Sequence, residues 1–480
     1  MENEKIINYL ENTLKTTPQR VKKGIKKNNK TLNKRNSFNT LKNYIDTFIK
    51  EDTDNRLFIM PGLRGTGKTT LIYQLYNYLT TKHKINNHQI LYLNLDRLKD
   101  YADFNLQEYL DLFITDINEE AYLNNKPLFI FIDESQYSNN WGIVGKIIFD
   151  EFPNVFLIFT GSDAINLEHN YDSARRLLKK QIYPLNFQEH LKLKYNTKIN
   201  DNLSKEFYNL IFTSKTDKIE KIEKKIQNNS FLKIKRNIKK EWIDYIQYEE
   251  FPFSLNNNKE DTIEKTILMK NRIIEKDLDI ISSFTSKNRL ASYKILNILA
   301  MQKPGNISSN KLANILDISR NSVNNILEAF EKTQLLFPIK AYGLITKRER
   351  QSREYYFLST QIKSCICQES GQVIGDFNDY MGNLSENHVA SLLFKLKQET
   401  GYNFEIFYDS KKGGVDFLLK TLLNNIIPIE VGYGKKTKKQ ITKAINRYDS
   451  EYGIIISNTK NKITKEDNII HIPLITFSLL

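Results

Sequence analysis

The stretch Gly62-Leu-Arg-Gly-Thr-Gly67-Lys68-Thr69 constrains this chain more than any other. Two glycines separated by four residues precede Lys-Thr. The apolar run Leu57-Phe-Ile-Met60 leads into them, and Thr70-Leu-Ile-Tyr-Gln-Leu-Tyr-Asn-Tyr-Leu79 leaves with helical spacing. In a strand, glycine-rich turn and helix taken in that order, successive backbone N–H groups point inward and cradle phosphate oxygens, aided by the positive end of the helix. Gly62, Gly65 and Gly67 permit the close approach. Lys68 is expected to reach the β- and γ-phosphates, and the Thr69 hydroxyl to sit on Mg²⁺, with Thr70 beside it. A chance glycine-rich turn would lack the flanking pattern, so the stretch reads as a nucleotide site for ATP and Mg²⁺.

Three further apolar runs follow: Ile90-Leu-Tyr-Leu-Asn-Leu95, Leu128-Phe-Ile-Phe-Ile132 and Val155-Phe-Leu-Ile-Phe159. Near-continuous runs of this kind belong to strands buried on both faces of a parallel sheet. The middle one ends in Asp133-Glu134, at the carboxyl end of its strand, where open α/β sheets bind ligands. Asp133 is expected to hold Mg²⁺ through water, and Glu134 to polarise the attacking water. An apolar run ending in Asp-Glu is commonplace alone; beyond a phosphate loop, with one strand between, it is informative.

Lys and Arg number 71 against 56 Asp and Glu, a formal charge of +15 and a pI near 9.3. Such a balance suggests a polyanionic partner, although drift in a Lys- and Asn-rich sequence produces it too. Between Glu11 and Asp46 there are ten basic residues and no acidic one. Residues 1–36 are therefore expected to form a basic, solvated arm, the alternative being an arm that neutralises nucleic-acid phosphates. Cys365 and Cys367 are too close for a sound disulfide and lack partners for a zinc site. They read as small apolar residues in a reducing compartment, and the six scattered histidines form no constellation. No apolar stretch approaches the roughly 20 residues of a membrane span. The expectation is a soluble, cytoplasmic protein without a membrane partner.

The strand from Val155 ends in Thr160-Gly-Ser162, and Asp172-Ser-Ala-Arg-Arg176 and Tyr183-Pro-Leu-Asn-Phe-Gln-Glu189 follow. In these motifs the chain resembles the prokaryotic AAA+ ATPases whose nucleotide domain precedes a winged helix and a restriction-endonuclease-like domain. Asn186 stands where that family has Ser. The resemblance implies that Thr160 or Ser162 senses the γ-phosphate. It also implies that Arg176 reaches a phosphate, in its own or a neighbouring subunit of a homo-oligomer; a solvated helix face is the other reading of Arg175 and Arg176. The family's Tyr-Gly-Gly-Phe-Pro element is matched within Tyr245–Pro252, with Glu249 and Glu250 replacing both glycines.

Residues 195–285 read as a charged insertion and helical lid, with Ile219, Ile222 and Ile226 as a thin apolar stripe. Residues 286–362 read as a winged helix. Its helices are marked by Ser292–Ala300, by Ser308 or Ser309 with Leu312, Ala313 and Leu316, and by Val323, Ile326, Leu327 and Phe330. Its wing is expected between strands Tyr342–Ile345 and Tyr355–Leu358, carrying Lys347, Arg348, Arg350 and Arg353. Arg320 and Asn321 would face a DNA groove, though many winged helices contact protein instead. Residues 363–480 alternate helix Gly382–Lys397, strands Phe404–Tyr408, Val415–Leu419 and Ile426–Val431, helix Thr437–Tyr448 and strand Tyr452–Ser457. That order resembles the restriction-endonuclease superfamily, which implies a second metal site from Glu386, Asp416 and Glu430. The superfamily's lysine is absent from Glu430-Val-Gly432, and Lys435 or Lys436 is three or more residues out of place. The resemblance thus implies either a domain that binds without cutting or a working nuclease.

The expected fold class is therefore α/β: a P-loop AAA+ parallel-sheet domain over 37–194, then the helical lid, the winged helix and a small α/β endonuclease-like domain. The expected function is binding and hydrolysis of ATP, with Lys68, Glu134 and Arg176 as catalytic residues, by a protein acting on or with DNA. The alternatives are a nucleotide-controlled signalling or scaffold protein and an ATP-gated, metal-dependent DNA nuclease.

Overall fold

The computed structural model describes residues 2–51, 53–98, 104–161, 176–197, 203–234, 236–278, 284–303, 307–348, 351–371, 375–401, 403–434 and 438–480. Ser162, Arg175, Arg350, Lys435 and Lys436 lie outside them. The chain divides into two compact units, Met1–Tyr183 and Pro184–Leu480.

In the first unit a short ladder, β1 (Lys26–Lys27) with β2 (Lys30–Thr31), precedes a five-stranded sheet. The sheet contains β3 (Leu57–Pro61), β4 (Ile90–Asn94), β5 (Leu128–Asp133), β6 (Val155–Gly161) and β7 (Leu178–Lys179) in the order β4-β5-β6-β3-β7. All its pairings are parallel. Because side chains alternate across a strand, each apolar run feeds two cores. Leu57, Ile59, Leu91, Leu93, Leu128, Ile130 and Ile132 enter one. Phe58, Met60, Tyr92, Phe129 and Phe131 enter the other. Helices cover both faces, which is why the runs show no polar alternation.

The expected solvated arm is corrected here. Residues Glu2–Gly24 form helix α1, whose Ile6, Leu10 and Leu14 join the first core and whose Val21 joins the second. Four-residue spacing puts Ile6, Leu10 and Leu14 on one stripe, and the helix packs on β4, the edge strand of the sheet. Fully burying a leucine stabilises by about 1.5–3 kcal/mol, enough to hold a helix whose other faces carry solvated lysines. Helix α2 (Asn36–Lys50) buries Phe38, Leu41 and Ile45, and α3 (Lys68–Lys82) follows the phosphate loop.

Residues 184–194 belong by their packing to the second unit: Phe187 N donates to the Ser478 carbonyl at 2.9 Å and Asn186 Nδ2 to that of Leu480 at 2.8 Å. This unit holds an eight-stranded mixed sheet in the order β14-β15-β13-β12-β11-β10-β8-β9. The strands are β8 (Leu336–Ala341), β9 (Glu354–Phe357), β10 (Phe404–Tyr408), β11 (Phe417–Thr421), β12 (Ile426–Gly432), β13 (Gly453–Ser457), β14 (Thr464–Glu466) and β15 (Ile469–Pro473). The expected strand at Tyr342–Ile345 is instead a bend leading into a short helix, Ile345–Arg348, and the hairpin is β8 with β9. Pro338 lies inside β8 and masks it in the sequence, because proline usually marks strand edges. β8 also pairs in parallel with β10, so the hairpin extends the C-terminal sheet. Among the described residues no helix is long and apolar enough to cross a membrane.

Candidate nucleotide site and a buried carboxylate cluster

The loop between β3 and α3 depends on three glycines, of which Gly65 has φ 81°. Gly67 has φ 90°, a left-handed conformation that side chains disfavour. A Cβ on Gly62 would collide with the Ile182 carbonyl oxygen. Lys68 is buried, its ammonium donating to the carbonyls of Gly62 (2.8 Å) and Leu63 (3.1 Å). Arg35, from the stretch read as a solvated arm, is buried too and donates to the Thr66 carbonyl at 2.7 Å.

Asp133, at the carboxyl end of β5, collects the polar groups of the site. Its Oδ2 accepts from Thr69 Oγ1 at 2.7 Å, Tyr92 OH at 3.0 Å and Asn94 Nδ2 at 3.5 Å. Its Oδ1 accepts from Thr160 Oγ1. Burial, with Asp133 close by, raises the Tyr92 hydroxyl above its ordinary range. Tyr92 and Asn94 were not singled out in the sequence, although Asn94 pairs in register with Asp133 across β4 and β5. Glu134 adopts φ 58°, ψ 47°, uncommon for a residue with a side chain and often found at functional positions. Its Oε2 accepts from Gln136 Nε2 at 2.6 Å and faces Arg64 at 3.6 Å. Thr70 stands next to Thr69 in the first turn of α3. Arg176 lies apart from this group of contacts and pairs with Asp150 at 2.6 Å.

In the second unit the carboxylates of Glu386, Asp416 and Glu430 do not gather as a metal site would require. Among the described residues the one trio with ligand atoms all within 4.8 Å of one another is His190, Glu241 and Glu249. There Lys194 already bridges Glu241 (2.7 Å) and Glu249 (2.6 Å), supplying the positive charge. Glu386 instead shares the Tyr356 hydroxyl with Glu354, at 3.2 and 3.0 Å, while Asp416 Oδ2 accepts from Val431 N at 2.6 Å. Burial, then the charges of Asp416 and Glu354, push Glu386 up to about 8. Burial and Asp416 push Glu354 up to about 7. A phenol has one proton to donate, so the two carboxyls share a single O–H donor. Lys363, on helix Thr360–Glu369, is buried, and burial lowers it to about 8 against the opposing charge of Glu386. Cys365 and Cys367 are free and buried, as expected of small apolar residues.

These raised carboxyls carry a pH dependence. Between the ordinary value near 4.3 and the folded values near 7 and 8, the folded state binds more protons than the unfolded one. Stability is therefore expected to fall as pH rises through that window, by about 1.4 kcal/mol per pH unit for each proton retained. Urea midpoints of the second unit from pH 5 to 8 should show this fall, and Glu386→Gln should reduce its slope. An unchanged slope in the variant would assign the dependence to other groups.

Residues 54–191 match the family model of an AAA domain. Residues 381–477 match that of a domain of unknown function (DUF4143). With the parallel sheet, the phosphate loop and the strand-end aspartate, this defines a P-loop ATPase of the AAA type. The protein MJ1637 of Methanocaldococcus jannaschii is 35% identical over 451 residues, spanning 93% of this chain and 89% of its own length. This chain belongs to the MJ1637 family. A second protein of that organism, MJ1544, is 26% identical over 82% of this chain and 78% of its own. A solved Walker-type ATPase of Pyrococcus abyssi aligns with 71% of this chain and 97% of its own at 12% identity and a TM-score of 0.37.

Proposed function

We propose that this protein hydrolyses ATP at the phosphate loop and couples its nucleotide state to a DNA partner in the cytoplasm. The observation that carries the reading is the Thr69 hydroxyl lying 2.7 Å from the Asp133 carboxylate, with Lys68 buried in the same loop. These two hard oxygens would hold Mg²⁺, which offsets phosphate charge when bound with ATP. Lys68 would exchange two carbonyl partners for phosphate oxygens. Glu134 would orient and deprotonate the attacking water. Thr160 would act at the γ-phosphate end, and Ser162 enters through the family resemblance.

For the DNA partner, the net charge of +15 joins a three-helix arrangement, Ser286–Met301, Ser309–Leu316 and Arg320–Lys332, followed by the β8–β9 hairpin. This supports a winged-helix reading with Arg320 and Asn321 exposed at the third helix's start. A second reading, a protein partner, draws support from the hairpin connection. Leu344 and Ile345 are 71% and 68% exposed there, while Arg348 lies over the Phe407 ring and Arg353 faces Glu331 at 3.5 Å. The mixed sheet β10–β13 supports an endonuclease-like fold used for binding rather than cutting, since Glu386, Asp416 and Glu430 are not gathered.

The deciding experiment is ATP turnover with and without DNA, alongside DNA binding from 50 to 200 mM salt. Contact through six or more phosphates loses affinity by at least about 10³ over that range. Flat salt dependence with turnover indifferent to DNA would transfer the function to the protein-partner reading. In the same proposal Arg176 leaves Asp150 to reach a neighbouring subunit's phosphate in a homo-oligomer. Mixing inactive Arg176→Ala and Lys68→Ala chains is then expected to restore part of the turnover; no restoration would make Arg176 a residue of its own subunit.

A further inference from the structure

The second unit contains a cavity of about 240 Å³ that the ATPase reading does not use. Its position follows from the sheet. β12, β13 and β15 run parallel, and the lining residues Tyr433, Asn458 and Pro473 stand at their carboxyl ends. Open α/β sheets place ligands at this end, because the strands stop there and the connecting segments diverge.

The walls select for shape. Trp242 and Tyr433 both line the cavity with nearly parallel rings, 7° between planes and 6.4 Å between centroids. Trp242 is buried and clamped, its Nε1 donating to Ser478 Oγ at 2.7 Å, so it forms a fixed floor that holds the half-buried Tyr433 ring in place before any ligand arrives. Ile243 and Ile475 add apolar surface. Volume and wall geometry together suit one small ring system rather than a long flexible chain.

The lining also selects for charge. It contains Lys239 and Lys460 and no acidic residue among those described. Lys460 is engaged by Glu466, whereas Lys239 is exposed at the start of helix Ile238–Tyr248. Apolar walls with a few polar groups at one side form the usual lining of a small-molecule pocket, and the sign here favours an anion.

We propose that this cavity binds a small planar aromatic anion, stacked against Tyr433 above the buried Trp242 with its negative group toward Lys239. The same chemistry is offered by an aromatic carboxylate and by a nucleoside monophosphate.

The protein has two tryptophans, so Trp141→Phe leaves Trp242 as a fluorescence reporter inside the cavity. Titration with nicotinate and with the nucleoside monophosphates, none of which emits in the tryptophan range, should quench it saturably, and the arm that saturates identifies the source. Nicotinamide and nucleosides should bind roughly tenfold or more weakly, as should the anions after Lys239→Gln, since each change removes one partly screened charge contact. Binding should persist in Lys68→Ala, which separates it from the phosphate loop, and vanish in Ile475→Trp, which fills the cavity and, because it adds a tryptophan, is read by saturation-transfer NMR. Ligand-observed saturation-transfer NMR on the unmodified chain repeats the test should Trp141→Phe fold poorly. Absence of saturable binding by both methods, equal binding of neutral and anionic probes, or binding that survives Ile475→Trp would each overturn the proposal.

Discussion

Lys68→Ala is expected to abolish ATP binding, whereas Glu134→Gln is expected to retain it and lose about 10²–10⁴ in turnover. The two effects differ because the residues serve different steps. Lys68 is the loop's buried ammonium, held by the Gly62 and Leu63 carbonyls where phosphate oxygens would replace them. Its loss leaves phosphate charge facing a cradle of N–H groups alone. Glu134 sits one residue beyond Asp133, and its carboxylate contacts Gln136 and Arg64 rather than Thr69. Glutamine keeps its size and one acceptor oxygen but accepts no proton from water. Calorimetric titration with ATP and Mg²⁺, followed by phosphate release, separates the outcomes. Wild-type turnover in Glu134→Gln would move the catalytic carboxylate elsewhere, and tight ATP binding by Lys68→Ala would move the nucleotide out of the loop.

The nucleotide site was legible because its chemistry is local in sequence. The loop spans eight consecutive residues, and Asp133 terminates a run whose apolarity announces burial. What escaped depends on contacts between distant segments. Arg35 holds Thr66 across 31 positions, and lysines around it make its stretch look solvated. Helix α1 was hidden for the same reason: Ile6, Leu10, Leu14 and Val21 are sparse among charges, and composition outweighed their spacing. In the second unit Glu386 and Asp416 were singled out, but Glu354 and Lys363 were not. Their relation to Glu386 exists only once the β8–β9 hairpin joins the C-terminal sheet. Strand β14 was missed because three residues offer too few positions for a period to show, and β15 because His471 interrupts its apolar run and Pro473 ends it.

Glu250→Ala is expected to destabilise the second unit by about 3–5 kcal/mol, because three buried donors lose their acceptor at about 1–3 kcal/mol each. The position replaces a glycine of the resembling family's Tyr-Gly-Gly-Phe-Pro element. The structure gives the acid a specific task. Its carboxylate is buried and accepts from Ser359 Oγ at 2.6 Å, Gln361 N at 3.0 Å and Thr360 Oγ1. These donors form the N-terminus of helix Thr360–Glu369, with Ser359 as its N-cap. A negative charge there satisfies groups that lack partners within the helix and complements its dipole. His388 Nδ1 lies 3.4 Å away on helix Phe377–Glu399, so the acid also ties that second helix in. Alanine would leave two hydroxyls and a backbone N–H buried without their acceptor. Glu250→Gln keeps an acceptor but not the charge, and should cost roughly half as much. The neighbouring Glu249 faces Lys194, and both side chains are about one-fifth exposed, so Glu249→Ala should cost about 1 kcal/mol or less. Urea unfolding of the three variants tests the ranking. A Glu250→Ala midpoint close to that of Glu249→Ala would show that the helix start is satisfied without the acid.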